Sequence, residues 1–202
     1  MSAGLYDTTL IYRRTFWMEV LHGFMIEVNH TPDVLVLNTG SWYVPNVVGR
    51  VERRYGAIKG WQEKCREQGR DCHVVWRTTA PGHPRCAEYN QPSTSVEEME
   101  DLVANLTLYP LKDGTPDFHW WEFKQQNVLM LESLNKSGLG FDVIPAYDVH
   151  LLRPDSHQKW TPNGERDCLH HCLLYGPVEV VNEFLLQLLR IRQREGNRDR
   201  AR

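Results

Sequence analysis

Apolar residues in this chain gather into three short runs separated by longer amphipathic stretches. Asp33-Val34-Leu35-Val36-Leu37-Asn38 leads into Thr39-Gly40 and predicts a buried strand that stops at a turn. Cys72 to Thr79 predicts a second strand, and Phe141-Asp142-Val143-Ile144-Pro145 a third, ended by its proline. Between them, Arg50 to Gln68 has scattered apolar positions before Gly69 and predicts a helix. Ser95 to Leu106 predicts another, with Ser95 as its cap and acids in its first turn. Trp120 to Leu134 has helical spacing and runs out near Gly138, and Pro177 opens a helix with an apolar stripe at Val181, Phe184, Leu185, Leu188 and Leu189. Ala80 to Thr94, Lys112 to Asp117 and Asp148 to Gly164 read as loops and turns.

Strands alternating with helices predict an α/β fold, with a parallel sheet covered on both faces. Active sites in such sheets lie at the carboxyl ends of the strands. Asn38-Thr39-Gly40, Thr78 to His83 and Ala146-Tyr147-Asp148 all fall at that edge. At 202 residues the chain is sized for one domain, and its 41% hydrophobic and 24% charged content is that of an ordinary globular protein. A formal net charge of −3 argues against a nucleic-acid partner, which needs a clustered basic surface. The arginines at 190, 192, 194, 198, 200 and 202 read as a solvated helix end and tail. No apolar run is long enough to cross a bilayer.

The residues richest in chemistry are Asp167-Cys168-Leu169-His170-His171-Cys172. A carboxylate three residues before a histidine can fix its tautomer while the other ring nitrogen faces a nucleophile or substrate. Read as metal ligands, the cluster is a single short group, whereas zinc sites pair Cys-x₂₋₄-Cys units or use separated histidines, so no metal is expected. The five cysteines, at 65, 72, 86, 168 and 172, suit disulfides in an oxidising compartment. Their odd number leaves one over, and spacing does not give the connectivity. Sequons at Asn29, Asn105 and Asn135 are a weak glycosylation signal.

Five blocks in order resemble the plant-type PC-esterase family, also called trichome-birefringence-like, within the SGNH (GDSL-like) hydrolases. They are Asp33 to Tyr43, Val75 to His83, Tyr147 to His157, Asp167 to Leu173, and Asn182-Glu183-Phe184-Leu185. The resemblance implies a three-layer, flavodoxin-like α/β domain. It also implies acyl-ester chemistry, usually O-acetylation of polysaccharides in the Golgi or secretory pathway. By position Asp167 would orient His170, His170 would be the general base, and Asn38 a side-chain donor to the oxyanion. Trp42, His83, Arg153 and His157 become candidate substrate contacts, with Tyr43, Trp120 and Trp121 as weaker sugar-stacking candidates. The implied partner is a carbohydrate acceptor. No cofactor is implied, since a donor such as acetyl-CoA would enter as a substrate, and membrane contact would come only through an N-terminal anchor outside this sequence.

The family's Gly-Asp-Ser nucleophile block does not occur in this sequence. Ser41 stands where the family usually has His, after the oxyanion strand rather than on an early Gly-Asp turn. The expected organisation is therefore a divergent segment at 1–30, the C-terminal part of the domain at 31–192 without its first strand and nucleophile turn, and a basic tail at 193–202. Two functions follow from this reading: part of a polysaccharide O-acetyltransferase or acylesterase, or a catalytically inactive carbohydrate-binding or interaction protein, or truncated gene product.

Overall fold

Leu35, Leu37, Val74 and Trp76 alternate with Val34, Val36 and Val75, and that two-residue period places them on opposite faces of one sheet. The computed structural model describes residues 32–38, 46–109, 111–112, 115–116, 119–160, 166–173 and 176–200. Their strands are β1 (Val34–Leu37), β2 (His73–Arg77), β3 (Leu111–Lys112), β4 (Thr115–Pro116), β5 (Phe141–Ile144), β6 (His157–Trp160) and β7 (Arg166–His171). β1, β2 and β5 form a parallel sheet in the order β1-β2-β5, with Leu35 opposite Val74 and Trp76 opposite Val143. β3 and β4 make a minimal antiparallel pair, and β6 and β7 form a separate antiparallel hairpin.

One face of the sheet is covered by α1 (Val47–Glu52), α2 (Tyr55–Glu67) and α4 (Phe123–Ser137). Ile58, Trp61, Val51, Met130 and Leu134 pack there on Leu35, Leu37, Val74 and Trp76. The other face meets α6 (Pro177–Arg200), where Val181, Leu185 and Leu188 pack on Val34, Val75 and Ile144. These three layers are the α/β architecture that the alternation predicts. A further cluster at the carboxyl end of the sheet joins α3 (Val96–Ala104) and α5 (Ala146–Leu151) through Met99, Val103, Tyr147 and Leu151, with Cys86, Tyr109, Trp120 and Phe123.

Local signals explain most element boundaries. Ser95 Oγ accepts from the Glu98 N–H (3.1 Å), capping α3, and Gly138 leaves α4 at φ +73°. Arg50 to Gln68 is two helices rather than one. α1 has its own cap, Asn46, whose side chain accepts from the Gly49 N–H, and a turn at Arg53 and Arg54 separates it from α2. A disulfide from Cys65 to Cys72 then ties the end of α2 to the start of β2.

The stretch expected to be loop from Asp148 onward is more ordered than its sequence suggests. It holds most of α5, a 3₁₀ turn at Pro154–Ser156 and all of β6. The Asp167–His170 segment lies in strand β7. The expectation of a missing first strand concerns residues outside the described ones. Within them, β1 is an edge strand, and its Val36 side chain is 46% exposed on the face that α6 covers elsewhere.

The two faces give a contrast in stability. Ile58→Ala, at a fully buried position, should cost about 2–5 kcal/mol by urea unfolding. Val36→Thr should change stability by no more than about 0.5 kcal/mol. A large loss at Val36 would show that another part of the chain covers it.

Candidate functional site

β7 does not belong to the main sheet, and three links bring it to the sheet's carboxyl end. The loop leaving β2 is held first by α4: the Thr79 N–H donates to Asn127 Oδ1 (2.8 Å), and Asn127 Nδ2 donates back to the Thr79 carbonyl (3.0 Å). The loop then passes under Trp120 at Gly82, where a Cβ would lie 2.3 Å from the indole, so only glycine fits. Finally the His83 N–H donates to the Cys168 carbonyl (2.9 Å), and a disulfide joins Cys86 to Cys168. Covalent and hydrogen-bonded links thus meet at one residue of β7, directly after Asp167.

The β6–β7 pairing is irregular at this point. His157 is opposite His171 and Lys159 is opposite Asp167, so Gln158 alone faces the three residues 168–170. Such a bulge re-aims side chains, and here it folds β7 back on itself. Asp167 Oδ1 accepts from the backbone N–H groups of Leu169 (3.2 Å) and His170 (3.0 Å). His170 Nδ1 lies 2.9 Å from Asp167 Oδ2 and 3.1 Å from Oδ1. Burial alone would raise the Asp167 carboxyl pKa, but the His170 and Leu169 N–H groups and the His170 ring outweigh it and hold the group below the usual carboxylate range. The carboxylate therefore stays ionised and fixes the ring with its proton on Nδ1. The His170 side chain is 75% exposed and that of Asp167 only 11%, so a sheltered carboxylate orients an accessible imidazole. Nε2 is left for proton exchange, the arrangement of an acid–base pair.

The other sequence-nominated residues are distributed as follows. Asn38, exposed at the end of β1, donates from Nδ2 to the Arg77 carbonyl (2.8 Å), with Thr79 Oγ1 at 3.5 Å. The Arg77 contact is the short one, and the contact to Thr79 Oγ1 is long and therefore weak. Arg153 donates from Nε (2.9 Å) and from its NH2 nitrogen (3.1 Å) to the two oxygens of Asp155, a local ion pair on the 3₁₀ turn. His83 and His157 are in the core, 0% and 2% exposed. Their rings are engaged beneath β7, where a polysaccharide does not reach. Trp120 is buried as well, and Trp42, Tyr43 and Ser41 lie outside the described residues.

Sequence reading missed that His83, His150, His157 and His171 form one group, the first three buried and His171 half-buried. The His157 and His171 ring centroids are 4.0 Å apart, those of His150 and His171 4.5 Å, and those of His83 and His157 4.9 Å. The His150 Nδ1–H donates to the Ala146 carbonyl (2.6 Å), and His171 Nδ1 lies 2.7 Å from Ser156 Oγ. The Ser156 hydroxyl also points at the Arg153 carbonyl (2.9 Å) and is buried, so this Ser–His contact is structural. Burial pushes the imidazole pKa values down, to about 4 for His83, about 4 for His150 and about 3 for His157, with His171 lower still. Among the described residues no group of His, Cys, Asp and Glu is arranged to hold a metal ion. Cys172 is a free, exposed thiol.

A family model described as PC-Esterase, the GDSL/SGNH-like acyl-esterase family found in Pmr5 and Cas1p, matches residues 13–188. Xyloglucan O-acetyltransferase 2 of Arabidopsis thaliana is 26% identical over 147 residues, covering 67% of this chain and 33% of that protein. Xyloglucan O-acetyltransferase 4 of Populus trichocarpa is 35% identical over 79 residues, covering 35% of this chain and 18% of that protein. Xyloglucan O-acetyltransferase 3 of the same species is 39% identical over 56 residues, 25% of this chain and 14% of that one. The chain thus spans no more than about a third of the length of these relatives.

Two outcomes follow from this geometry. Histidines with depressed folded pKa values bind protons in the unfolded chain before they do so in the folded one. Their contribution is complete above the unfolded value of about 6.5 and is lost as pH falls toward about 4. The urea midpoint should therefore drop steadily between pH 7 and pH 4.5, and a flat profile would contradict the buried neutral cluster. Replacing Cys86 and Cys168 together by Ser opens a cross-link spanning 82 residues. It should cost about 2–5 kcal/mol, with the earliest gain in amide exchange in β7.

Proposed function

Starting from the fact that the chain belongs to the GDSL/SGNH-like PC-esterase family, we propose that Asp167 and His170 are the acid–base pair of an acyl-transfer site acting on a polysaccharide ester. The observation that carries this reading is the sheltered, ionised Asp167 holding Nδ1 of an exposed His170 at 2.9 Å. In the proposed cycle, His170 Nε2 takes the proton of a nucleophilic hydroxyl as that oxygen attacks the acyl carbonyl. Asp167 stabilises the imidazolium through Nδ1–H, and His170 returns the proton to the departing group. An acceptor hydroxyl then attacks the acyl intermediate, with His170 as base a second time. A sugar hydroxyl as acceptor gives transfer, and water gives hydrolysis.

Asn38 Nδ2 is held by its bond to the Arg77 carbonyl and exchanges its long contact with Thr79 Oγ1 for the tetrahedral oxygen. The nucleophile comes from outside the described residues. The relatives named xyloglucan O-acetyltransferases support a polysaccharide as the acceptor and acetyl as the group moved. Golgi residence and glycosylation of the exposed Asn105 and Asn135 belong to the same reading. A second reading, a carbohydrate-binding protein without turnover, is favoured by one observation: Gly-Asp-Ser does not occur in the sequence.

The two readings separate in an assay of this chain with an activated acetyl ester and with xyloglucan oligosaccharides. The first expects turnover that His170→Ala lowers by about 10³-fold or more and Asp167→Asn by about 10⁴-fold. Loss of Asn38 as a donor, in Asn38→Ala, should cost about 10²–10³-fold. Turnover that survives His170→Ala unchanged would refute the acid–base assignment. Saturable sugar binding with no turnover in any form would favour the second reading.

A further inference from the structure

Two of the buried rings of the histidine group, His83 and His157, are strung between two carbonyls. His83 Nε2 lies 2.8 Å from the Leu151 carbonyl, His83 Nδ1 lies 2.7 Å from His157 Nε2, and His157 Nδ1 lies 3.3 Å from the carbonyl of His170. A carbonyl only accepts, so each end of the string needs an N–H, and the middle contact needs one more. Three contacts therefore call for three protons on two imidazoles, and a neutral pair carries two. The short contacts at 2.7 and 2.8 Å leave no room for facing lone pairs. The contact left without a proton in the neutral pair is thus the longest, the one to His170. Two positive rings would instead set N–H against N–H at 2.7 Å, so the pair takes a third proton and refuses a fourth.

We propose that His83 and His157 are positioning residues for His170: together they clamp its backbone carbonyl when the pair holds three protons and release it when the pair holds two. This rests on the reading of His170 as the acid–base residue, which the clamp serves by fixing the backbone beneath the ring. The third proton comes from solvent and enters in acid, because burial lowers both rings well below an ordinary histidine. The groups facing the pair set its charge balance. From the 3₁₀ turn, Asp155 favours the proton at His83, and from β7, Asp167 favours it at His157. From α5 and β7, His150 and His171 disfavour it once they charge, while Arg77 and Arg153 act on His150 and keep it neutral.

Two substitutions split the string at different atoms. In His157→Asn, the amide nitrogen replaces Nδ1 and donates to the position-170 carbonyl at every pH. In His157→Gln, the amide nitrogen replaces Nε2 and reaches His83 but not that carbonyl. The readout is the carbon-13 shift of the position-170 carbonyl in the labelled chain, in a His170→Gln background so that no ring at 170 titrates. With His157 intact, the shift should move through one acid inflection that coincides with protonation at His157 Nδ1. His157→Asn should hold it at the acid limit throughout, and His157→Gln at the neutral limit.

A carbonyl shift that moves equally with pH in all three proteins, or in none, would overturn the clamp. If either His157 variant fails to fold, the coincidence of the two inflections in the His170→Gln protein decides alone, and separate inflections would overturn the proposal. That protein has no ring at position 170, so this result is independent of the acyl-transfer assay. A clamp without catalysis and catalysis without a clamp are distinguishable.

Discussion

The site depends on the attachment of β7 to a sheet it is not part of. Three parallel strands present their carboxyl ends at one edge, but the Asp167–His170 pair lies in β7, which among the described strands pairs with β6 in an irregular hairpin. The hairpin is held by the His83 N–H on the Cys168 carbonyl and by the Cys86–Cys168 disulfide, and both run to the loop leaving β2. That loop is fixed by Asn127 of α4 and by the passage of Gly82 under Trp120. Orientation of one exposed imidazole thus traces back through a disulfide, an amide clamp and a glycine to the core of the domain. A cross-link spanning 82 residues is well suited to the purpose, because closing so long a loop removes much of the freedom of the unfolded chain.

Beneath the pair, the protein buries three imidazoles and half-buries a fourth where apolar side chains would pack more simply. Each finds a partner on a backbone carbonyl, a hydroxyl or another ring, which lowers the cost of burying polar atoms but ties their bonding to their protonation. Stability and site geometry are consequently linked to the same protons. Acid strains the core through the group as a whole, while within it the His83–His157 pair has room for one proton more. The Asp167 carboxyl above and the rings below all bind protons less readily in the folded chain than in the unfolded one, so acid weakens the fold through both.

Those parts of the fold that sequence makes legible are the ones whose burial follows a simple period. β1, β2 and β5 stand out as apolar runs, α3 by Ser95 and α4 by its stop at Gly138. α5 was not legible because six residues are too few for a periodic signal and its buried face includes His150, which reads as polar. The β6–β7 hairpin was not legible because a bulge breaks its alternation and its strands carry His, Lys, Asp and Cys. In the site, the three-residue spacing of Asp167 and His170 sufficed, since a bulge can bring such a pair together as well as a turn can. The roles of His83 and His157 were not legible, because a histidine reads as polar wherever it stands. Their recurrence in the blocks that build one end of the sheet was the available signal. Disulfide connectivity needed the fold, which alone brings Cys86 beside Cys168.

The most direct test of the account is the tautomer of His170, read from its imidazole nitrogen-15 shifts at neutral pH, before and after reduction of the disulfides. If the lacing of β7 orients the pair, the oxidised chain shows His170 with its proton on Nδ1 alone, and the reduced chain shows a mixture of the two tautomers. The same mixture in both would contradict the account, because Asp167 would then not be holding the ring and the disulfide would have no part in placing it.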